Sequence, residues 1–262
     1  MLQSFVKNGY NIVQFNEIAD VYIVNTCTVT NIADKKSRQS LRKVKEINPN
    51  AVLVAVGCYA QVAKEELEKI EDIDLILGVN EKKDIVKYVE EFLSNKSKLE
   101  VISKVACQNE FIDFGTVTYT EKTRAVIKIQ DGCDRFCSYC LIPYARGRIR
   151  SRMPDSVLNE VQEIANKGIK EIVLTGIHIA SYGKDFKEEK LEKINQRLEE
   201  ENNQELNQKQ TEDYNKKASK TKTEYYLIDL LEDMNKINGI ERIRLRFNRT
   251  KINYRRIYKK TI

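Results

Sequence analysis

The stretch that decides the fold of this chain is Asp131-Gly132-Cys133-Asp134-Arg135-Phe136-Cys137-Ser138-Tyr139-Cys140, in which three cysteines follow the spacing C-x3-C-x2-C. Three thiolates can bind three irons of a 4Fe-4S cluster, whose usual protein ligand set is four thiolates. The fourth iron then stays open to another ligand. The spacing therefore predicts an iron–sulfur cluster on Cys133, Cys137 and Cys140.

Other interpretations of the triplet fit less well. A structural zinc site needs four ligands, and His178, the single histidine of the chain, is distant in sequence. A disulfide framework needs an even number of cysteines and an oxidising compartment. Three buried structural cysteines within eight residues are unusual beside Gly, Asp and Arg.

A predicted strand at residues 124–129 comes immediately before the cysteines. After them, the apolar pattern predicts a helix at 155–167, a strand at 171–175, a helix at 227–236 and a strand at 242–245. This alternation predicts a partial (β/α) barrel. The cysteine loop would follow its first strand, on the carboxyl face where such barrels hold their chemistry.

An earlier block, residues 11–93, alternates in the same way. Short β-branched runs predict strands at 21–24, 51–56 and 73–77, and helical periods predict helices at 33–47, 63–70 and 82–93. Such an alternation predicts a parallel sheet covered on both faces. The chain as a whole is therefore expected to be an α/β protein.

Two further cysteines follow the first two predicted strands. Cys27 comes after the first strand and Cys58 after the second. Because parallel strands end at one edge of a sheet, the two thiols are expected to face one crevice. The alternative is that each is a small buried residue at a tight turn, and the pattern alone does not decide between them.

Size and charge limit the function. The 262 residues suffice for two domains, and neither a signal peptide nor an apolar run of membrane-spanning length is present. The net charge is +6, but nine Lys or Arg and no acid lie at residues 242–262, so the rest of the chain is net negative. This distribution excludes a protein that binds nucleic acid over its whole surface.

Three segments depart from the α/β pattern. Residues 99–122 predict a linker, which includes Cys107. Residues 184–224 are rich in Glu, Lys, Gln and Asn without an apolar stripe, which predicts a disordered or loosely helical insertion. Residues 246–262 do not fit the barrel, and are interpreted either as an aberrant end or as a basic RNA-binding tail.

At this point the sequence resembles a known family, the methylthiotransferases of the radical-SAM superfamily, and within it the branch that acts on threonylcarbamoyladenosine in tRNA. The stretches that carry the resemblance are Asn25–Asp34 (NTCTVTNIAD), Val56–Gln61 (VGCYAQ), Lys128–Cys140, Ile142–Gly147 (IPYARG) and Thr175–Gly183 (TGIHIASYG).

The resemblance implies a division of the chain. Residues 1–98 would form a Rossmann-like methylthiotransferase domain, 99–122 the linker and 123–262 an incomplete radical-SAM barrel. The barrel cluster on Cys133, Cys137 and Cys140 would cleave S-adenosylmethionine to a radical that removes the C2 hydrogen of the modified adenosine beside the anticodon. An auxiliary 4Fe-4S cluster would lie on Cys27, Cys58 and a third cysteine that this chain lacks at its start.

The resemblance also implies partners and a compartment. The substrate would be the tRNA anticodon stem-loop, and electrons would come from a donor such as flavodoxin or ferredoxin. The protein would be a cytoplasmic monomer without a membrane. Because both ends depart from the family pattern, the chain is expected to be truncated at both ends and not to complete methylthiolation.

Single residues near the motifs have two interpretations each. Tyr139 would pack on the cofactor's adenine or beneath its own loop, and Gly176 would let the backbone approach the cofactor. His178 is expected to be structural or close to the substrate rather than a metal ligand. The alternating arginines could meet phosphate or the cofactor carboxylate, or be solvated: Arg146, Arg148, Arg150 and Arg152.

Two other functions remain open from the sequence. One is a related methylthiotransferase for another tRNA adenosine or for a ribosomal protein. The other is a non-catalytic remnant that binds an iron–sulfur cluster or RNA. No side chain is assigned as a catalytic acid or base.

Overall fold

The computed structural model describes residues 1–27, 31–105, 110–113, 115, 123–197 and 224–246. The chain divides into two compact units, the first made of Met1–Val117 and Gly132–Arg148, the second of Thr118–Asp131 and Ile149–Ile262. The cysteine loop thus groups with the first unit, whereas the boundary expected near residue 123 assigns it to the second.

The first unit contains a parallel sheet of four strands in the order β1 (Val21–Thr26), β2 (Val52–Gly57), β3 (Leu75–Leu77) and β4 (Leu99–Val101). All six residues of β2 are buried, because this strand is central and both faces of the sheet are covered. A continuous apolar run is the sequence pattern typical of such a strand.

Helices cover the two faces of this sheet. On one face Leu41 and Val44 of α2 (Asn31–Ile47) pack in a core with Leu53 of β2. On the other face Ile85 and Val89 of α5 (Ile85–Asn95) pack in a core with β2 and β3. The remaining elements are short: α1 (Leu2–Lys7), α3 (Cys58–Val62), α4 (Lys64–Glu68) and a 3-10 turn at Asn80–Lys83.

The predicted linker begins too early in the sequence. Leu99–Val101, expected to be linker, is the edge strand β4 and pairs with β3. A strand of three residues at an edge leaves too short an apolar run to be recognised from the sequence. Cys107 lies outside the described residues.

The second unit contains a sheet in the order β6 (Arg150–Ser151), β5 (Arg124–Asp131), β7 (Glu171–Gly176) and β8 (Arg242–Leu245). Strands β5, β7 and β8 are parallel, and β6 is an antiparallel edge strand that the sequence did not predict. Between them lie α7 (Pro154–Asn166), a 3-10 turn (Ile179–Ser181) and α9 (Leu227–Met234). The predicted α/β class is confirmed, and the strand order follows the expected partial barrel.

The sequence predicted a disordered or loosely helical insertion at 184–224, and for its first part the disordered alternative is wrong. Residues 188–197 are helical, here called α8, and Ile194 is fully buried in the core of the second unit. Arg197 of α8 forms ion pairs with Asp155 at 2.8 Å and with Asp233 at 3.1 Å. The two apolar side chains of this part of α8, Leu191 and Ile194, were too few to show a stripe in so charged a segment. Residues 198–223, and the tail at 247–262, lie outside the described residues.

Within the described ranges, no helix is both long enough and apolar enough to cross a membrane.

Candidate metal centre

The cysteine loop occupies an irregular stretch after β5. Residues 132–141 form neither helix nor strand, and the chain becomes helical again at α6 (Ile142–Arg146), where Pro143 lies in the first turn. Proline is well suited to that position, because the first helical N–H groups have no partner within the helix. The three cysteines therefore lie on a loop that ends at a defined helix start.

The loop is closed at its base by a glycine. Gly132 has φ +69°, and a Cβ atom there would lie 1.8 Å from the carbonyl oxygen of Arg148. The Cys133 N–H next to it donates to the carbonyl oxygen of Gly147 at 3.0 Å. A side chain at residue 132 would push apart the backbone segments that contain Gly132 and Arg148, so the glycine is required to close the base of the loop.

The three cysteines differ in exposure and none forms a disulfide. Cys137 is exposed, while Cys133 and Cys140 are half-buried. The Cys140 N–H donates to the carbonyl oxygen of Cys137 at 2.9 Å, which forms a tight turn. Across the described residues, no group of three or more His, Cys, Asp or Glu side chains is arranged to hold a metal ion.

The donor set nevertheless fits a 4Fe-4S cluster. Three free thiols lie within eight residues on an irregular segment, and thiolates are the ligands that such clusters use. Contacts at Gly132 and Cys133 fix the base of the loop. The three thiols are not arranged around a common metal position.

Aromatic side chains surround the loop and face outward. Tyr139 is 84% exposed, so the interpretation that it packs beneath its own loop is wrong. Phe136 and Tyr144 meet edge to face at 5.7 Å between centroids, and the Arg148 guanidinium lies 5.5 Å from the centroid of Phe136. Arg148 also approaches Asp134 at 3.9 Å. These contacts leave open ring faces beside the cysteines.

The other two cysteines lie at neighbouring strand ends, as the sequence predicted. Thr26 pairs with Gly57 in the β1–β2 register, and Cys27 and Cys58 are the next residues. Cys27 is exposed, and its N–H donates to the Ser37 hydroxyl at 3.2 Å. Cys58 is buried, so the alternative of a small buried residue describes Cys58 but not Cys27.

Arg146 reaches the buried thiol. Its Nε–H donates to Cys58 Sγ at 3.3 Å, and the neighbouring Ala145 packs in a small core with Cys58 and Val79. The sequence suggested phosphate or a carboxylate as the partner of this arginine. The contact with a thiol was missed because Arg146 and Cys58 are 88 residues apart, and nothing in the local sequence links them.

A polar network at the same edge of the first sheet was also missed. The Ser103 N–H donates to Glu81 Oε1 at 3.0 Å, and Gln61 Nε2 donates to the Ser103 carbonyl oxygen at 3.1 Å. Glu81 is buried. The network fixes the segment that follows β4. Two residues after Ser103, Val105 packs on Gly147, and a Cβ atom at Gly147 would lie 2.7 Å from Val105 Cγ1.

In the second unit, Gly176 and His178 lie at the end of β7. A Cβ atom at Gly176 would be 3.0 Å from three atoms of Gln130, so the close approach that this glycine permits is to the neighbouring strand. The His178 N–H donates to Gln130 Oε1 at 2.7 Å, and His178 Nδ1 lies 2.6 Å from the Ser181 hydroxyl. These contacts agree with the expected structural role of His178.

Two of the alternating arginines are not solvated. Arg150 is 1% exposed and lies 3.9 Å from Asp131, and Arg152 is 5% exposed and pairs with Glu160. Of the four arginines, Arg148 is the one that the structure leaves exposed. Buried guanidinium groups with carboxylate partners indicate a structural role for Arg150 and Arg152.

Comparison with known proteins agrees with this site. The sequence model of the radical SAM superfamily matches residues 127–259, about half of the chain, and that of the uncharacterized protein family UPF0004 matches residues 1–78. The chain therefore belongs to the radical SAM superfamily.

Curated relatives are methylthiotransferases. The threonylcarbamoyladenosine tRNA methylthiotransferase MtaB of Aquifex aeolicus is 44% identical over 69% of this chain and 44% of its own length, and MtaB of Bacillus subtilis is 39% identical over 75% and 44%. The ribosomal protein uS12 methylthiotransferase RimO of Clostridium novyi is 37% identical over 69% and 41%. The chain thus spans under half the length of these relatives. The resemblance to methylthiotransferases stated from the sequence is confirmed.

Proposed function

We propose that this member of the radical SAM superfamily is a methylthiotransferase that adds a methylthio group to C2 of N6-threonylcarbamoyladenosine next to the tRNA anticodon. The observation that supports this most is the C-x3-C-x2-C loop with its closed base, in a chain whose MtaB relatives are up to 44% identical. The chain spans 44% of those relatives, so the activity is proposed for the protein to which this sequence belongs.

Cys133, Cys137 and Cys140 would hold the radical-SAM cluster. When bound, that cluster supplies the electron that cleaves S-adenosylmethionine, which the protein mainly orients and shields. The exposed ring of Tyr139 is free to stack on the adenine of this cofactor, and Gly176 is proposed to lie near the cofactor at the end of β7.

Cys27 and Cys58 would bind an auxiliary 4Fe-4S cluster, together with a third cysteine. Their positions at adjacent strand ends support a shared site. The exposed thiol of Cys27 is open to an incoming cluster, and the buried thiol of Cys58 is already oriented by Arg146.

The proposed substrate is the tRNA anticodon stem-loop. Unpaired RNA bases are bound by stacking on aromatic rings and arginine planes, and Phe136, Tyr144 and Arg148 offer such surfaces beside the loop. The electron donor is proposed to be a flavodoxin or ferredoxin. A cytoplasmic location and a monomeric state complete the proposal.

A second candidate is a related methylthiotransferase with another substrate. RimO of Clostridium novyi and the tRNA-2-methylthio-N(6)-dimethylallyladenosine synthase of a Sulfurihydrogenibium species are both 37% identical to this chain. A ribosomal protein or another tRNA adenosine is therefore the alternative substrate. A non-catalytic protein that only binds the clusters is the remaining alternative.

Two experiments test cluster binding and the identity of the substrate separately. After anaerobic reconstitution, replacement of Cys133, Cys137 and Cys140 by Ala should remove one 4Fe-4S cluster, measured as iron and sulfide content, and unchanged iron would refute the cluster. Expression of the gene in cells that lack their own methylthiotransferase, followed by mass spectrometry of tRNA digests, should show methylthiolated threonylcarbamoyladenosine. Methylthiolation of dimethylallyladenosine or of a ribosomal protein would favour the second candidate.

A further inference from the structure

We propose that Arg146 is a positioning residue that couples Cys58 to the loop carrying Cys133, Cys137 and Cys140. The inference rests on the proposed function, because it concerns two sites assigned there to clusters. It adds that the two sets of cysteines respond to each other through one side chain of this chain.

The first step of the path is the contact with Cys58. Arg146 Nε–H donates to Cys58 Sγ at 3.3 Å, and the thiol is 4% exposed. A buried sulfur that accepts a hydrogen bond from a guanidinium has one favoured orientation, since no water can replace the donor. The preceding residue, Ala145, packs in a core with Cys58, so the backbone at Arg146 is held close to this thiol.

The second step is the backbone after Arg146. The carbonyl oxygen of Gly147 accepts the N–H of Cys133 at 3.0 Å, and the carbonyl of Arg148 lies against Gly132. The carbonyl that fixes Cys133 therefore belongs to the residue next to the one whose side chain binds Cys58. Loss of the Arg146–Cys58 hydrogen bond is expected to loosen this backbone, and with it the first cysteine of the loop.

Packing makes the coupling stiff. Gly147 is closed in by Val105, which leaves no room for a Cβ atom, and α6 packs on α3, whose first residue is Cys58. Coupling between sites needs a contiguous network with few alternative arrangements, and these contacts supply one. All of them lie within the first compact unit.

The matched control is Cys27. It is the other proposed ligand of the auxiliary cluster, it lies one residue beyond the same pair of strand ends, and its N–H donates to Ser37. A Cys27→Ala background removes the auxiliary site while leaving the Arg146–Cys58 contact in place. Any effect of Cys58 on the loop in that background acts through the contact and not through a second cluster.

The experiment has two readouts in the Cys27→Ala background. In the metal-free protein, hydrogen exchange at the Cys133 amide should become roughly fivefold faster in Cys58→Ala and in Arg146→Gln, as for the loss of one net hydrogen bond. After reconstitution, the electron paramagnetic resonance spectrum of the reduced loop cluster should change in both variants. Combining the two replacements should add nothing further, and Arg146→Lys should restore part of the wild-type spectrum.

Different results identify different failures. Equal exchange and identical spectra in Cys58→Ala and its background would overturn the coupling, and so would additive effects of Cys58→Ala and Arg146→Gln. Absence of any loop cluster in the unmutated chain would overturn the proposed function instead. The exchange of the Cys133 amide would still decide the coupling, because that measurement needs no metal.

Discussion

The two sheets of this protein are buried in different ways. In the first sheet, separate cores on the two faces of β2 leave all six of its residues buried. In the second, one core covers a single face, where Ala125, Ile127 and Ile129 of β5 are buried, while Val126 on the other face is 39% exposed. The comparison shows that burial alternates along β5 even where its sequence, Ala125-Val126-Ile127, is apolar without a break, so the tertiary structure decides which sides of a strand are covered.

The open face of the second sheet forms a groove of about 820 Å³. It is lined by residues at the amino end of β5, in the middle of β7 and at the carboxyl end of β8: Thr123, Arg124, Val126, Val173, Arg244, Leu245 and Arg246. Glu171 at the start of β7 pairs with Arg242 at 3.0 Å and with Arg244 at 2.8 Å. In a complete (β/α) barrel the corresponding face is interior and filled by side chains.

The largest effect should come from one substitution made in each sheet. Val54→Asp places a charge in a fully buried strand and should unfold the first unit, because an unpaired buried charge costs more than a typical domain can lose. Val126→Asp lies in the arginine-lined groove and should change the free energy of unfolding by less than about 1 kcal/mol. Circular dichroism with hydrogen exchange on each unit measures both, and equal losses would contradict the difference between the sheets.

The second largest effect should come from opening the base of the cysteine loop. Gly132→Ala brings a Cβ atom to 1.8 Å from the Arg148 carbonyl, so the base of the loop must open and the reconstituted iron content should fall sharply. Gly168→Ala is the control, because that glycine also has positive φ, +78°, but no atom within 4 Å of its Cβ position. It should cost about 1–2 kcal/mol of stability without loss of iron. Similar iron contents in both variants would show that the loop closure is not needed.

A third prediction concerns the helix that the sequence did not reveal. Ile194→Ala should lower the free energy of unfolding of the second unit by about 2–5 kcal/mol, because the side chain is fully buried in its single core. Ile18→Ala, at a side chain that is 77% exposed, should stay within about 0.5 kcal/mol of wild type. Urea unfolding measures both, and a neutral Ile194→Ala would restore the interpretation of residues 184–197 as unpacked.

The smallest effect is a pH dependence in the second unit. Burial alone would raise the pKa of Asp233, but hydrogen bonds from Lys236 and Tyr225, together with the positive charges of Lys236 and Arg197, outweigh it and lower the pKa below its ordinary value. Asp233 therefore stabilises the fold fully above the ordinary aspartate pKa of about 4, and this contribution is lost as the pH falls through the lowered pKa.

Asp233→Asn should accordingly cost about 1–3 kcal/mol at neutral pH. The difference from wild type should shrink as urea unfolding is repeated at progressively more acidic pH. Asp20→Asn, on the first unit and away from these partners, is a suitable control for a general charge effect. A constant difference at every pH would mean that the ionised carboxylate is not what stabilises the second unit.

Much of this architecture was predictable because, in long periodic segments, the pattern of apolar residues indicates which side chains are buried. β8 was predicted at its observed bounds, and the strands β5 and β7 within two residues, since alternating or apolar runs bounded by charge leave few other interpretations. β4, β6 and α6 were not predicted, because elements of two to five residues are formed by their neighbours rather than by their own pattern.

The positions of the candidate ligands followed from the sequence, but their supporting contacts did not. Local spacing predicts Cys133, Cys137 and Cys140 as ligands of one cluster, which stays a prediction, and parallel-strand geometry correctly placed Cys27 and Cys58 at neighbouring strand ends. The partners of Arg146, Arg150 and Arg152 were not predictable, since a guanidinium finds its acceptor through folding and not through its neighbours in sequence.

The sequence by itself determined the α/β class and the two sheets, and it predicts five thiols as iron ligands, because each depends on residue type at short spacing. Only the tertiary structure decided that the cysteine loop belongs with the first unit, that α8 contributes Ile194 to a core, and that Arg146 connects Cys58 to the base of the loop. Those facts depend on contacts between residues far apart in the chain, and such contacts produce no periodic pattern in the sequence.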